Sequence, residues 1–263
     1  LSANNLTYAD NGDTLSYWRA FPTDPDWGRI PAWGVAAIDE SAHPELEAGT
    51  RVFGLVPMSD EFVVTAGRVS ERGFSDQAPH RSMLAGTYNR YTTVRPQPAD
   101  GEQGGDAEGL RCVLQPLFST AFLLADHLAE ERHLGAEAVV LTSASSRTAT
   151  ATAFSLRQHG DVEIIGLTAP DHVAAVDGFG LHDQVLGYDQ LDQLARRPTV
   201  VLDVAGGASL HVALRQVIGE SVVGAFTIGN THRGDRSAIP TDLPGAPAQF
   251  FFAPSHAAAR TKA

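Results

Sequence analysis

The residues best suited to chemistry lie in one short loop, Thr142-Ser143-Ala144-Ser145-Ser146-Arg147-Thr148-Ala149, between an apolar run and a helical stretch. A helix N-terminus presents N–H groups without internal partners and a partial positive charge, which suits a diphosphate. Ser143, Ala144, Ser145 and Ser146 are small enough to let a ligand approach the backbone, and the three serine hydroxyls add donors. Arg147 adds a permanent, forked cation and Thr148 a further hydroxyl. A single serine here would only cap the helix. The concentration of hydroxyls beside an arginine points instead to a nucleotide cradle. The glycine fingerprint is absent: Ser143, Ser146 and Ala149 stand where G-x-x-G-x-x-G would place glycines, and Leu141 and Ser146 break the P-loop pattern.

The end of the next strand selects the cofactor. In dinucleotide folds an acid about 20 residues beyond the loop binds a ribose 2′-hydroxyl. Here Gly166-Leu167-Thr168-Ala169-Pro170 offers none before Asp171. That admits a 2′-phosphate, with Thr168 beside it and Arg147 as countercharge. The reading is NADP(H), with NAD(H) kept open by the nearness of Asp171. Gly206, in Asp203-Val204-Ala205-Gly206-Gly207, and Gly229-Asn230, after the last strand, let a cofactor lie against the backbone, or make ordinary turns. Thr120, at the start of the preceding helix, completes the set. His232 lies near the same strand end and reads more simply as a solvated loop histidine.

These residues need a frame. Apolar runs at 138–141, 162–167, 185–186, 199–204 and 222–228 read as strands, and 120–131, 148–159, 172–178 and 210–218 as helices. Alternation of buried strands with helices predicts an α/β, Rossmann-like doubly wound parallel sheet over 111–232. Residues 1–110 read as a β-rich domain of short strands, 51–56 and 61–64 among them. Within it, 96–109 reads as a flexible acidic loop. Phe250-Phe251-Phe252 is costly to expose and predicts a strand, and the last residues, AAARTKA, predict a frayed end.

Composition narrows the function. The chain has 263 residues, 43% of them hydrophobic and 19% charged, which excludes a disordered chain. The net charge of −12 argues against nucleic acid and anionic membrane surfaces as partners. No stretch is expected to approach the ~20 apolar residues of a membrane span. Cys112 is the sole cysteine, so no internal disulfide forms, and a reducing cytoplasm fits. Ten scattered histidines without an H-x-x-x-H pair mark no zinc site, and no metal is expected. No G-x-S-x-G elbow is present.

The order of segments resembles the medium-chain dehydrogenase/reductase superfamily, in its zinc-independent quinone and enoyl reductase branch. The likeness rests on Ala48-Gly49-Thr50-Arg51-Val52-Phe53-Gly54, the loop at 139–149, Leu202-Asp203-Val204-Ala205-Gly206-Gly207 and Phe226-Thr227-Ile228-Gly229. Within that superfamily the chain is similar to the DUF2855 proteins, through the Ser-Ala-Ser-Ser-Arg-Thr loop, Arg51-Val52-Phe53-Gly54 with Pro57-Met58, and Ala78-Pro79-His80-Arg81 with Tyr88-Asn89-Arg90-Tyr91. The resemblance implies a GroES-like β domain before the Rossmann-like domain, and NADP(H) as cofactor. It also implies a homodimer joined through the last Rossmann strands. It implies strands before Leu1 and a return to the β domain, begun by 233–263, so that the β domain is truncated in this sequence.

By the same resemblance, a tyrosine near the start assists protonation of the substrate. Tyr8 and Tyr17 are the candidates, with Asn5 nearby; spacing does not choose between them. His80, Arg81, Tyr88, Asn89 and Tyr91 form a second polar cluster, open between ordering and catalysis. The resulting expectation is an NADP(H)-dependent reductase of a quinone or carbonyl-conjugated double bond, acting on a small molecule. The competing readings are a non-catalytic nucleotide-binding or scaffold protein of the same fold, and another Rossmann-sheet transferase.

Overall fold

The computed structural model describes residues 5, 8–9, 12–95, 104–204, 207–229 and 238–260, with side chains from 107 onward in the fourth stretch. It divides into two compact units, essentially Leu1–Pro116 and Leu117–Thr261.

The first unit holds a five-stranded antiparallel sheet, order β1-β2-β5-β4-β3. Its strands are β1 (Ala32–Ala37), β2 (Arg51–Val56), β3 (Ala66–Ser70), β4 (Gly73–Asp76) and β5 (Arg90–Thr93). Val52, Phe74 and Tyr91 form its core. The strand expected at 61–64 does not form. Only Phe62 and Val64 pack inward, while Val63 is 92% exposed and the neighbouring ladder begins at Ala66.

Arg81 organises the polar part of this unit. Its guanidinium donates to the Tyr88 carbonyl (2.6 Å), Asn89 Oδ1 (3.1 Å) and the Tyr91 hydroxyl (3.2 Å), and lies 3.4 Å from the Asp76 carboxylate. Asn89 returns a bond to the Arg81 carbonyl, and Tyr91 donates to Leu55. Arg81 and Asp76 are both buried, so the cluster is an internal lock.

Helix α1 (Gly104–Glu130) starts inside the segment expected to be an acidic loop. Two contacts explain the helical start: Glu108 pairs with Arg51 at 2.6 Å, and the Arg111 guanidinium lies 5.3 Å over the Phe53 ring. Ala121, Leu124, Ala125 and Leu128 make its buried stripe. Among the described residues α1 is also the one helix long and apolar enough to cross a membrane, over Ala107–Glu130, with 22% of that window buried. Leu110, Leu114, Phe118 and Phe122 contribute to that composition and are exposed.

The second unit carries a six-stranded parallel sheet of β6 (Ala138–Leu141), β7 (Glu163–Thr168), β8 (Gln184–Gly187), β9 (Thr199–Asp203), β10 (Val222–Thr227) and β11 (Ala248–Phe250). Its order is β11-β10-β9-β6-β7-β8, the 3-2-1-4-5-6 order of a doubly wound sheet read from the opposite edge. Side chains alternate along β6. Val139 and Leu141 pack with Leu124, Leu128, Ala153 and Leu156; Ala138 and Val140 pack with Leu214 and Ile218. Both faces are therefore covered, which is why these strands read as continuous apolar runs. The covering helices include α2 (Arg147–His159) and α4 (Ala208–Ile218), with the short α3 (Val173–Asp177) between them in sequence.

The tail departs from expectation. It joins the parallel sheet through β11, which pairs with β10, and it stays in the second unit. Arg215 clamps the approach to β11 by donating to the carbonyls of Pro244 and Ala246, both at 2.7 Å. The strand stops at Phe250. Phe251 is buried against Phe226, and residues 257–260, the described part of the stretch expected to fray, instead end α5 (Ala253–Arg260), held by Arg260 to Asp126 and Glu130.

Candidate functional site: the turn between β6 and α2

The parallel order reverses between β6 and β9, and ligands of such sheets bind beyond the strands' carboxyl ends at that point. Ser143 adopts a left-handed conformation, φ 50°. Its N–H donates to the Tyr188 hydroxyl at 2.9 Å, and Tyr188 directly follows β8. Ala144 N–H donates to the Leu167 carbonyl of β7 (2.9 Å), and Ser146 N–H to the Ser143 carbonyl (2.8 Å). Ser146 caps α2, its hydroxyl accepting from Ala149 N–H at 3.2 Å.

Three backbone donors are left. The N–H groups of Ser145, Arg147 and Thr148 have no acceptor among the described residues. Ser145 and Arg147 are exposed, and Arg147 makes no ion pair among the described residues. A turn whose conformation is fixed by Tyr188, Leu167 and the Ser146 cap thus presents unengaged N–H groups and a cation at a helix N-terminus. That is the donor set an anion requires.

Below the turn the strand ends are tied together. Thr142 donates its hydroxyl to Asp203 Oδ1 (2.6 Å) and accepts from Val204 N–H (3.1 Å). Thr168 is buried at the end of β7, and its carbonyl accepts from Tyr188 N–H at 3.0 Å. Its side chain is part of the sheet, not of the exposed turn. At Gly229 a Cβ would sit 2.4 Å from the Val204 carbonyl, so glycine is needed there for the close approach of two strand ends. Thr120 is half-buried and engaged on α1. Gly206, Asn230 and His232 lie outside the described residues.

The proton-donor candidates gather in the first unit. Tyr17 and Tyr88 share a hydroxyl–hydroxyl bond of 2.7 Å, and Trp33 donates its indole N–H to the Tyr8 hydroxyl at 2.7 Å. The Tyr8 and Tyr17 rings meet edge to face at 4.6 Å. Burial pushes the Tyr17 phenol well above its ordinary range, and Tyr8 adds to the rise. Asn5 donates its side-chain amide to the Pro31 carbonyl at 2.9 Å. The structure therefore brings Tyr8 and Tyr17 into one packed aromatic cluster. Among the described residues no three His, Cys, Asp or Glu side chains gather to hold a metal ion.

Sequence reading missed two parts of the site. Tyr188 carried no signal beyond being a polar aromatic after a short strand. Asp203 was visible as a strand-end acid, but its pairing with Thr142 is a cross-strand contact that no local pattern reveals.

No curated protein matches the sequence. Among solved structures, the chain is similar to a putative NADPH:quinone reductase from Mesorhizobium loti, at 15% identity and TM-score 0.52, over 88% of this chain and 62% of that one. It is similar to the alcohol dehydrogenase of Aeropyrum pernix at 19% identity and TM-score 0.50, over 79% of this chain and 62% of that one. An oxidoreductase from Salmonella enterica, in complex with NADP, aligns over 100% of this chain and 75% of its own, at 13% identity and TM-score 0.49. This chain thus spans less than two thirds of the length of the first two. At such identities the likeness is one of fold: a Rossmann-like sheet and a GroES-like β unit. The sequence itself is more specific, since residues 1–263 match one family model throughout, and the chain belongs to DUF2855, described as a protein of unknown function.

Proposed function

We propose that the chain binds a nicotinamide dinucleotide at the start of α2, NADP(H) ahead of NAD(H). In this reading it is a zinc-independent oxidoreductase that reduces a quinone or a carbonyl-conjugated double bond of a small molecule. The observation that carries it is the set of N–H groups at Ser145, Arg147 and Thr148 with no acceptor among the described residues, with the Arg147 cation beside them, at the end of the first strand of a doubly wound sheet. When bound, the dinucleotide supplies hydride transfer. The chain's own residues bind and orient: the three N–H groups hold the diphosphate, Arg147 supplies countercharge, and Tyr188 and Ser146 keep the turn in shape. Gly229 belongs to the same proposed surface, and Gly206 and Asn230, which follow β9 and β10 in sequence, are proposed as further cofactor-binding residues.

Tyr17 and Tyr8, with Asn5, are the proposed proton donors. The Tyr17 hydroxyl must leave Tyr88 to serve, and that observation favours a second reading, a nucleotide-binding protein without turnover. The proposed assembly is a homodimer joined at the edge strand β11, where Gln249 and Phe250 are exposed, in a cytoplasmic setting.

The test is a fluorescence titration with NADPH, run beside NADH and an Arg147→Ala variant. A charge-assisted hydrogen bond contributes about 1.5–3 kcal/mol, so the variant binds roughly 10- to 100-fold more weakly. A screen of quinones and enones then separates the two readings by turnover. Folded protein that binds neither nucleotide overturns both.

A further inference from the structure

Behind the turn lies a buried carboxylate that anion binding does not use. Asp203, the last residue of β9, is fully buried. Its Oδ1 accepts from the Thr142 hydroxyl (2.6 Å), and its Oδ2 accepts from Gly207 N–H (3.2 Å) and lies 3.0 Å from His211 Nε2. The His211 imidazole is buried beside this carboxylate. Its Nδ1 is left buried without a partner among the described residues.

These contacts span the point where the sheet reverses. Thr142 follows β6 and immediately precedes the left-handed Ser143, while Gly207 caps α4 after β9. One carboxylate thus holds both turns. The Thr142 hydroxyl completes the tie by accepting from Val204 N–H. An ionised group is costly to bury even when it is hydrogen-bonded, and an apolar side chain would fill the same space without that cost. What the carboxylate adds is a fixed geometry.

We propose that Asp203 is a positioning residue for the nucleotide site, acting through Thr142 on the turn at 143–148 and through Gly207 on the start of α4. This rests on the nucleotide reading above. Asp203 itself, being fully buried, touches no ligand.

The experiment compares wild type, Thr142→Val and Thr142→Ser in the full chain. It measures NADPH affinity, thermal stability and amide hydrogen exchange at 143–149 without nucleotide. Valine removes the donor to Asp203 and the acceptor for Val204; serine keeps both. The expected result for valine is at least 10-fold weaker NADPH binding and at least 10-fold faster exchange at 143–149. Serine is expected to stay within twofold of wild type in both. The proposal is overturned if valine lowers thermal stability while folded protein binds NADPH with unchanged affinity, or if serine is as damaging as valine.

If wild type binds no NADPH, the nucleotide reading falls. The exchange comparison then still decides whether Asp203 sets the turn through Thr142, and unchanged exchange in the valine variant overturns that. Should Thr142→Val not fold, Asp203→Asn takes its place. The amide keeps an acceptor toward Thr142 but sets an NH2 group against Gly207 N–H. Faster exchange at 207–210 with weakened NADPH binding supports the proposal, and no change in either overturns it.

Discussion

Replacing Arg81 by methionine tests whether the polar cluster of the first unit is a structural lock. The guanidinium is 1% exposed and sits beside an equally buried Asp76 carboxylate. Methionine fills most of the stem volume but strands the partners. The Tyr88 carbonyl loses a 2.6 Å bond and Asn89 Oδ1 a 3.1 Å bond. Asp76 loses its cation, although it keeps the N–H groups of Thr65 (3.0 Å) and Ala78 (2.9 Å). Breaking a buried ion pair from one side costs about 3–5 kcal/mol, and the two N–H groups left on Asp76 place this case at the lower end, about 3 kcal/mol. The readout is built into the chain: Trp18, Trp27 and Trp33 all lie in the first unit, so tryptophan fluorescence in a urea titration follows that unit alone. A loss below about 1 kcal/mol, the worth of one ordinary hydrogen bond, would refute the lock.

Other outcomes follow from the same geometry. Burial raises the phenols of Tyr17 and Tyr88 above their ordinary range, and that of Tyr91 is pushed up to about 12 by burial. Native protein at pH 11 should therefore show much less phenolate absorbance than unfolded protein. The unfolded chain gives up these protons first, so stability is full below pH 10 and falls as pH rises from 10 towards 12. Burial, helped at His182 by Arg157, at His133 by His159 and at His256 by His127, lowers their affinity for protons. The unfolded chain then binds more protons below about pH 6.5, so urea midpoints should drop as pH falls from 7 to 5; midpoints that rise over that range contradict this assignment. Gly229→Ala drives a Cβ against the Val204 carbonyl and should cost about 1–3 kcal/mol by thermal unfolding; an unchanged melting temperature would show that the strand ends can separate freely.

The doubly wound sheet was legible because its strands are buried on both faces. Val139, Val140, Ile164, Ile165, Val200 and Val201 stand in unbroken apolar runs, whichever face each packs against. The Ser146 cap and the exposed Arg147 were legible for a different reason, since a helix start is a local event. What failed was non-local. Glu108 and Arg111 look like loop residues until Arg51 and Phe53 are opposite them. Val63 looks like a strand residue, but its segment finds no ladder partner. Residues 257–260 look frayed until Arg260 meets Asp126 and Glu130. In the site, Tyr188 and the Thr142–Asp203 tie join residues 45 and 61 positions apart, beyond any motif. Tyr8 and Tyr17 were legible as phenols, but their burial beside Tyr88 and Trp33 was not.

The most direct test of the cradle is the amide spectrum of the protein during addition of NADPH. Saturable shifts are expected at Ser145, Arg147 and Thr148, whose N–H groups have no acceptor among the described residues, with a weakened response in Arg147→Ala. NADPH that binds with those three amides unmoved, or that leaves the whole spectrum unchanged, contradicts it.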